Sequence, residues 1–458
     1  MSRFDANKLE LWTQGEWQNR VPSAIDGFCN DTRKLEKNDL FVAIKTSQRD
    51  GHDFLDVAQE SGATGAIVSE YRSESALPQL LVADSLQGFQ SIAAAYRNDF
   101  EGTVIGVTGS CGKTTCKELI GLLLGAPDGT LITQGNLNNF LGVPLTLTEL
   151  EASAHRFAVV EAGISEPGEM ELLSGMIQAD VAVCTSVGAA HLEALESVDN
   201  VAREKAKIVH PQRTGRAYID VTSAQYLECF GEIPIIVAQE SVEPDKVGAF
   251  SLCRDGSKNE MCLRLSSGDE VFEFDAVQTS FATNVALAIL VTSDLGVSAD
   301  RIRERLKEWK ASSLRGEIIE RAGQRIYLDC YNANPLSMFD AIESFDRISK
   351  ETRAKLYIVG SMEELGSSSR TWHQRLGEKL DLGKLDRAYL VGDYADGIIS
   401  GMNEASRSRT EKMDSVENLK EIVSRFEGDV FIKGSRRYRL ESVVDCETGF
   451  KGKESVSC

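Results

Sequence analysis

Uninterrupted apolar stretches and stretches with helical spacing alternate along most of this chain. Thr103–Val107, Arg156–Glu161 and Asp180–Thr185 are runs without polar alternation, the pattern of parallel strands covered on both faces. A helical segment follows each of them, and Phe281–Asp294 returns to the same core. The region from about Gly215 to Val277 is more polar and predicts extra strands, including Met261–Leu265 and Val271–Phe274. Ahead of this block, Asp39–Ile44, Gly65–Val68 and Leu80–Val82 with the helical stretch Phe54–Ser61 predict a small α/β unit ending near Asn98–Gly102. Behind it, from near Arg315, the strand-like runs Arg325–Leu328, Lys355–Val359, Arg387–Val391 and Asp429–Ile432 predict a further α/β unit. The fold class is therefore α/β in three domains, at residues 1–101, 102–313 and 314–458. No internal repeat appears, and only Gly452–Cys458 looks frayed.

Length agrees with this division, since 458 residues make about three domains at roughly 150 residues each. The third unit reads as Rossmann-like, but it lacks the Gly-x-Gly-x-x-Gly fingerprint, which argues against a dinucleotide. Fifty basic and 70 acidic residues leave a net charge of −20. Such a field repels polyanions and argues against nucleic acid as the main partner, while leaving room for a small anion in a local basic pocket. Lys433-Gly-Ser-Arg436-Arg437-Tyr-Arg439 is one basic concentration, readable as a solvated surface run or as an anion site. The ten cysteines include no Cys-x-x-Cys pair, so free thiols in a reducing compartment are expected. The start lacks an apolar signal core, and no apolar run approaches the roughly 20 residues of a membrane span. The expectation is a cytoplasmic protein, and a monomer.

Candidate chemistry begins where the Thr103–Val107 run ends. Thr108-Gly109-Ser110-Cys111-Gly112-Lys113-Thr114-Thr115 follows it and precedes the helical pattern Lys117–Leu124. Strand, glycine-bounded loop, Lys-Thr and helix form the layout that holds a nucleotide's phosphates. Backbone N–H groups approach the oxygens, and the helix N-terminus adds partial positive charge. Lys113 would neutralise the β/γ-phosphates, and the Thr114 hydroxyl would ligate Mg²⁺. The general pattern asks for a glycine at 107, which is Val107 here, so the loop is a shorter Gly-x-x-Gly-Lys-Thr form.

In a doubly wound sheet ligands collect beyond the strand carboxyl ends. Glu161 closes one strand and is placed to complete Mg²⁺ coordination, or to cap or pair as a structural glutamate. His191 follows another, five residues beyond Ser186; a lone histidine there is a structural group or a member of the site. Lys205 lies on a helical stretch and by itself is one helix lysine among several. Asp329, Tyr331, Asn332 and Asn334 gather hydrogen-bonding groups at a third strand end, where Pro335 suits the first turn of a helix capped by Asn334.

Taken together these segments resemble the Mur ligases of peptidoglycan synthesis, and within them the branch that adds a dipeptide. Asn30–Arg33, Asp39–Ile44 and Asp50–Phe54 look like the UDP-sugar-binding domain of that family. Thr108–Thr115, Gly135-Asn-Leu-Asn-Asn139, Gly142–Leu145, Glu161–Gly163 and Ala190–Glu193 look like its ATPase domain. Asp329–Pro335, Met362–Gly366 and Lys433–Arg436 look like its C-terminal domain. Gly-Asn-Leu-Asn-Asn and Tyr-Asn-Ala-Asn-Pro point to the dipeptide-adding branch. The resemblance implies an ATP-dependent ligase that joins D-alanyl-D-alanine to UDP-N-acetylmuramoyl-tripeptide through an acyl phosphate.

The same resemblance implies roles residue by residue. Lys113 would stabilise the transferring phosphoryl group, with Thr114 and Glu161 on one Mg²⁺. His191 and a Lys205 carbamylated by CO₂ would serve a second Mg²⁺. Asn284 looks like the adenine-contacting asparagine, and Arg315 and Asp329 resemble groups that close over ATP. Thr32, Arg33, Asn136, Asn138 and Asn139 would meet the UDP-muramoyl portion; Asn332, Asn334, Lys433, Ser435 and Arg436 would lie near the incoming dipeptide. Rival readings are a sister ligase adding one amino acid, and a nucleotide-dependent regulatory module without ligation.

Four positions depart from the family pattern. Ser280-Phe281 stands where His-Asn is usual, Ser361 where the family has aspartate, Lys207 where it has glutamate, and Cys111 where asparagine is more frequent. A thiol amid phosphate-loop N–H groups is expected to lean towards thiolate and to be sensitive to oxidation unless ATP covers it.

Overall fold

The computed structural model describes residues 3–255, 257–311, 313–321, 323–349 and 352–444; the Gly452–Cys458 tail therefore lies outside the described residues. Three sheets carry the architecture, in chain order of five, nine and six strands. In the first, Gly27–Cys29, Asp39–Val42, Gly65–Val68 and Gln79–Leu81 run parallel, and Glu16–Gln18 adds an antiparallel edge. Helix Ser85–Asn98 covers this sheet and leads to the second. Its fully buried Arg97 donates to the carbonyls of Ile177, Phe100 and Gln178 and to Asp180 Oδ2 at 2.7 Å. A buried guanidinium needs that full set of partners, and here it fastens the first unit to the second.

The second sheet places Thr103–Thr108 between Phe157–Glu161 and Val181–Cys184, all parallel. These are the continuous apolar runs read in the sequence, and their residues are buried almost throughout. The polar region beyond them extends the same sheet. Arg216–Asp220, Ile235–Glu240 and Ala249–Asp255 continue the parallel order, and Lys258–Leu265 with Gly268–Asp275 close it as an antiparallel hairpin. Helices Lys113–Leu124 and Phe281–Asp294 pack against each other on one face, in a core with Val107, Val183 and Tyr218. Phe281–Asp294 is apolar nearly all round because it is buried on most sides.

The third sheet keeps Gln324–Asp329, Gly428–Lys433, Lys355–Gly360, Arg387–Val391 and Thr410–Met413 parallel. Glu317–Arg321, which the run pattern does not reveal, pairs antiparallel at the edge. Helix Pro335–Ile348 starts on a full capping box: the Asn334 side chain accepts from Ser337 N, and the Ser337 hydroxyl accepts from Asn334 N. Its apolar face joins a core that also contains Val187, Ala189 and Leu192 of the second unit. The seam between these two units thus contains buried apolar side chains. It runs past the carboxyl ends of both parallel sheets, where the candidate groups stand.

Candidate active site

The phosphate loop begins at the end of Thr103–Thr108, and two glycines fix its path. Gly109 has φ +150° and no room for a side chain, since a Cβ would lie 2.0 Å from the Thr185 hydroxyl. Gly112 has φ +80° and caps helix Lys113–Leu124. The loop's own N–H groups are not all turned to one point. Ser110 N donates to the Ser186 carbonyl (2.9 Å) and Cys111 N to the Ser186 hydroxyl (2.9 Å). The donors left for an anion are those of the helix start, which have no intrahelical acceptor. Lys113 Nζ donates to the Gly109 carbonyl at 2.8 Å, folding back across the loop. Burial pushes its ammonium pKa down, with Glu161 opposing. Asn284 is buried against Gly112, beside the loop, and the Thr114 side chain is buried at the helix start.

Glu161 is buried at the end of its strand. Asn138 Nδ2 donates to Oε1 at 2.7 Å, whereas Oε2 is buried without a hydrogen-bond partner. Lys205 is the opposite case, an ammonium with no exposure whose Nζ has no hydrogen-bond partner. Desolvation, with Lys113 second, pulls its pKa down to about 7. Lys113 and Lys117 both feel Glu161, Glu118 also acts on Lys117 and Glu204 on Lys205, while Lys113 acts on Lys205 and Arg315 on Lys113 and Lys117. Around a chain of net charge −20, this is a local cationic pocket suited to a polyphosphate. Among the described residues no trio of His, Cys, Asp and Glu gathers as a metal site. Glu161 Oε2, buried without a hydrogen-bond partner, still fits a cation whose other ligands are hydroxyl and phosphate oxygens.

The third unit closes the site from the other side. His191, at φ +54°, places Nδ1 2.5 Å from Glu364 Oε2, and Glu193 N donates to the Glu364 carbonyl at 3.1 Å. Glu364 is itself at φ +61°, and the His191 ring holds its carboxyl below the usual carboxylate range. Asn334 reaches the phosphate loop, with Nδ2 on the Ser110 carbonyl at 3.1 Å and Oδ1 accepting from the Cys111 thiol at 3.0 Å. This corrects the expectation for Cys111. Burial raises its pKa, and the thiol is a donor to Asn334, so it does not lean towards thiolate. Arg315 lies over the Tyr331 ring, 3.9 Å from its centroid. Asp329 Oδ2 accepts from Lys433 Nζ at 2.7 Å, and the same ammonium donates to the Asn332 carbonyl at 3.1 Å.

Several sequence candidates carry structural duties. Lys433 is buried, whereas Arg436, Arg437 and Arg439 of the same basic run are exposed. Arg436 pairs with Glu441, and Arg437 with Glu363 and Asp393. Ser435 is buried, its N–H on the Ser361 carbonyl at 3.3 Å. Asn332 accepts the Ala333 N–H. Asn139 Oδ1 accepts from Leu141 N and Gly142 N, opening helix Gly142–Thr148, while Asn136 is exposed. That helix packs on strand Gly27–Cys29, just ahead of Thr32 and Arg33, so both groups border one seam. Arg33 pairs with Asp31 at 2.9 Å. At the departures, Ser280 bonds Asp340 across the seam, Ser361 binds the Val391 carbonyl and Tyr394 N, and Lys207 pairs with Glu204. Sequence reasoning missed Lys117 and Glu364. A lysine between the apolar Cys116 and Leu119 on an amphipathic helix was the available signal for the first. The eight described cysteines are free thiols, and no described helix is long and apolar enough to cross a membrane.

Residues 107–290 match the Mur ligase middle domain, and residues 314–436 match the Mur ligase, glutamate ligase domain. The chain is 31% identical over 445 residues to a UDP-N-acetylmuramoyl-tripeptide–D-alanyl-D-alanine ligase of Bacillus subtilis, covering 92% of this chain and 93% of that one. A crystal structure of MurF from Acinetobacter baumannii superposes with a TM-score of 0.86 at 28% identity, over 96% and 97% of the two chains. The MurF ligase of Thermotoga maritima in complex with ADP superposes with a TM-score of 0.78 at 28% identity, over 91% and 96%.

Proposed function

The chain belongs to the Mur ligase family, and from that premise we propose that it joins D-alanyl-D-alanine to UDP-N-acetylmuramoyl-tripeptide with consumption of ATP, in peptidoglycan precursor synthesis. One observation carries the reading: the likeness to ligases of that name extends over 92% of the chain, the C-terminal unit included. A carboxylate does not acylate an amine by itself, because its leaving group would be an oxide. The tripeptide carboxylate oxygen bonds to the γ-phosphorus, the bond from that phosphorus to the β,γ-bridging oxygen breaks, and ADP leaves. The dipeptide amine then bonds to the acyl carbon, the carbon–oxygen bond to phosphate breaks, and the amine gives up a proton.

Such a sequence asks the protein mainly for alignment and charge compensation. Lys113 leaves the Gly109 carbonyl for the phosphates, and the start of helix Lys113–Leu124 supplies N–H donors. Asn284, Arg315 and Asp329 flank the nucleotide. Thr32, Arg33, Asn136, Asn138 and Asn139 face the UDP-muramoyl portion along the seam between the first two units. Asn332, Asn334, Lys433, Ser435 and Arg436 shape the dipeptide end. Divisions near 101/102 and 313/314 separate these duties. Thr114, Glu161, His191 and Lys205 would hold Mg²⁺, which when bound neutralises phosphate charge. A neutral amine adds to CO₂, so Lys205 as a carbamate would present an oxygen ligand where a free ammonium would repel the ion.

Phosphate release by the purified protein tests the assignment. It should require UDP-N-acetylmuramoyl-tripeptide and D-alanyl-D-alanine together, and the joined product should appear in equal amount. Phosphate release that ignores the dipeptide would overturn the reading.

A further inference from the structure

Lys117 stands one turn after Lys113, on the face of helix Lys113–Leu124 that is turned into the protein. Its side chain is 2% exposed, a rare place for a lysine unless it is paired. Nζ donates to the Thr133 carbonyl at 2.8 Å. It lies 3.8 Å from Glu161 Oε2 and 3.9 Å from Glu118 Oε1. Thr133 also accepts the Glu161 N–H on its hydroxyl at 3.0 Å. One residue thereby fixes both the lysine and the backbone of the carboxylate it faces.

The spacing is informative. A lysine that served only to neutralise Glu161 would close to hydrogen-bond distance, as Lys433 does with Asp329 at 2.7 Å. Here the charge is balanced while the Oε2 lone pairs stay open, because the Thr133 carbonyl holds the ammonium back. A divalent cation approaching Oε2 alone meets that fixed like charge, and at about 4 Å in a buried site the repulsion is large. A cation arriving with a polyphosphate brings its own negative charge, and Lys117 then faces a balanced complex.

We propose that Lys117 is the resident counter-ion of Glu161 and makes metal entry depend on nucleotide. The inference rests on the reading of Glu161 as a metal ligand. Its test is binding of Mn²⁺, followed by the electron paramagnetic resonance signal of the free ion, to the full chain without nucleotide. Lys117→Met should bind Mn²⁺ about tenfold more tightly than wild type or better. The gain should vanish when Glu161→Gln is added, and with ADP present wild type and Lys117→Met should differ much less. Equal Mn²⁺ binding by wild type and Lys117→Met without nucleotide would overturn the proposal, as would a gain that survives Glu161→Gln. Lys117→Gln, checked by circular dichroism, replaces the methionine variant if that one does not fold. Mn²⁺–ADP binding that is indifferent to Glu161→Gln would instead contradict the metal-ligand reading itself.

Discussion

Lys205 has no exposure and no hydrogen-bond partner, and it is drawn down to about 7 by burial and by Lys113. An ammonium in that position is poorly accommodated, whereas a neutral amine is available to add to CO₂. The sign of the pH effect follows. Above about 7 the amine is mostly neutral and competent; one pH unit below, only about a tenth of it is neutral. If Lys205 acts as a carbamate, enzyme stripped of CO₂ should lose most of its ligase activity and regain it with bicarbonate. The dissolved CO₂ needed for half recovery should rise at least about fivefold between pH 7 and pH 6. Lys205→Ala should be inactive and unresponsive to bicarbonate. Full activity of Lys205→Ala, or no CO₂ requirement in wild type, would remove the carbamate from the account.

Helix Lys113–Leu124 shows how an element, more than any one side chain, builds the site. Gly112 and Gly125 bound it, both with positive φ. Between them lie Lys113, whose Nζ folds onto the Gly109 carbonyl, the buried Thr114, and Lys117, whose Nζ stands 3.8 Å from Glu161 Oε2. A Cβ at Gly112 would come within 2.8 Å of the Asn284 amide, in a backbone conformation costing a side chain about 1 kcal/mol. Gly112→Ala should therefore raise the ATP KM on the order of tenfold while leaving the UDP-substrate KM close to wild type. Gly135→Ala is the control, since Gly135 also has positive φ but meets nothing within 4 Å. An unchanged ATP KM in Gly112→Ala would refute this. Elements of this kind were legible in the sequence: Phe281–Asp294 and Arg387–Val391 coincide with their predicted spans, and the buried central strands match within a residue or two. The edges were not. Glu317–Arg321 and Glu16–Gln18 are short and half-exposed, so their pairing depends on distant partners and leaves little periodicity to read.

At the scale of the whole molecule, the site exists only where two units meet. The phosphate loop and Glu161 could be picked out as candidates because each sits at the end of a buried strand of one unit, whereas Lys205, one helix lysine among several, was singled out only by the family resemblance. The contacts across the seam were not legible, since no local pattern announces that Asn334 will cap its own helix and also hold the loop around Cys111. Glu364 is the sharper case. It belongs to the third unit, yet it lies against His191 of the second and also accepts Glu193 N. Both His191 and Glu364 adopt left-handed backbone conformations, which non-glycine residues keep only when their surroundings enforce them. Gly366, at φ +52°, adjoins them, and a Cβ added there would lie 3.0 Å from the Glu193 Cα. A carboxylate on Nδ1 fixes the ring and directs Nε2 away, the arrangement by which outer groups orient a ligating histidine. On the proposed role of His191, Glu364 would be a positioning residue supplied only when the units are joined. Glu364→Ala should lower kcat by about 10- to 100-fold with the ATP KM near wild type, and small-angle scattering should show a larger radius of gyration for the nucleotide-free protein. Glu364→Gln, which keeps the length and one hydrogen-bonding oxygen, should recover compactness and part of kcat. A variant that loses kcat without opening would locate the role of Glu364 in His191 alone, and one that loses neither would dissolve the link between closure and catalysis.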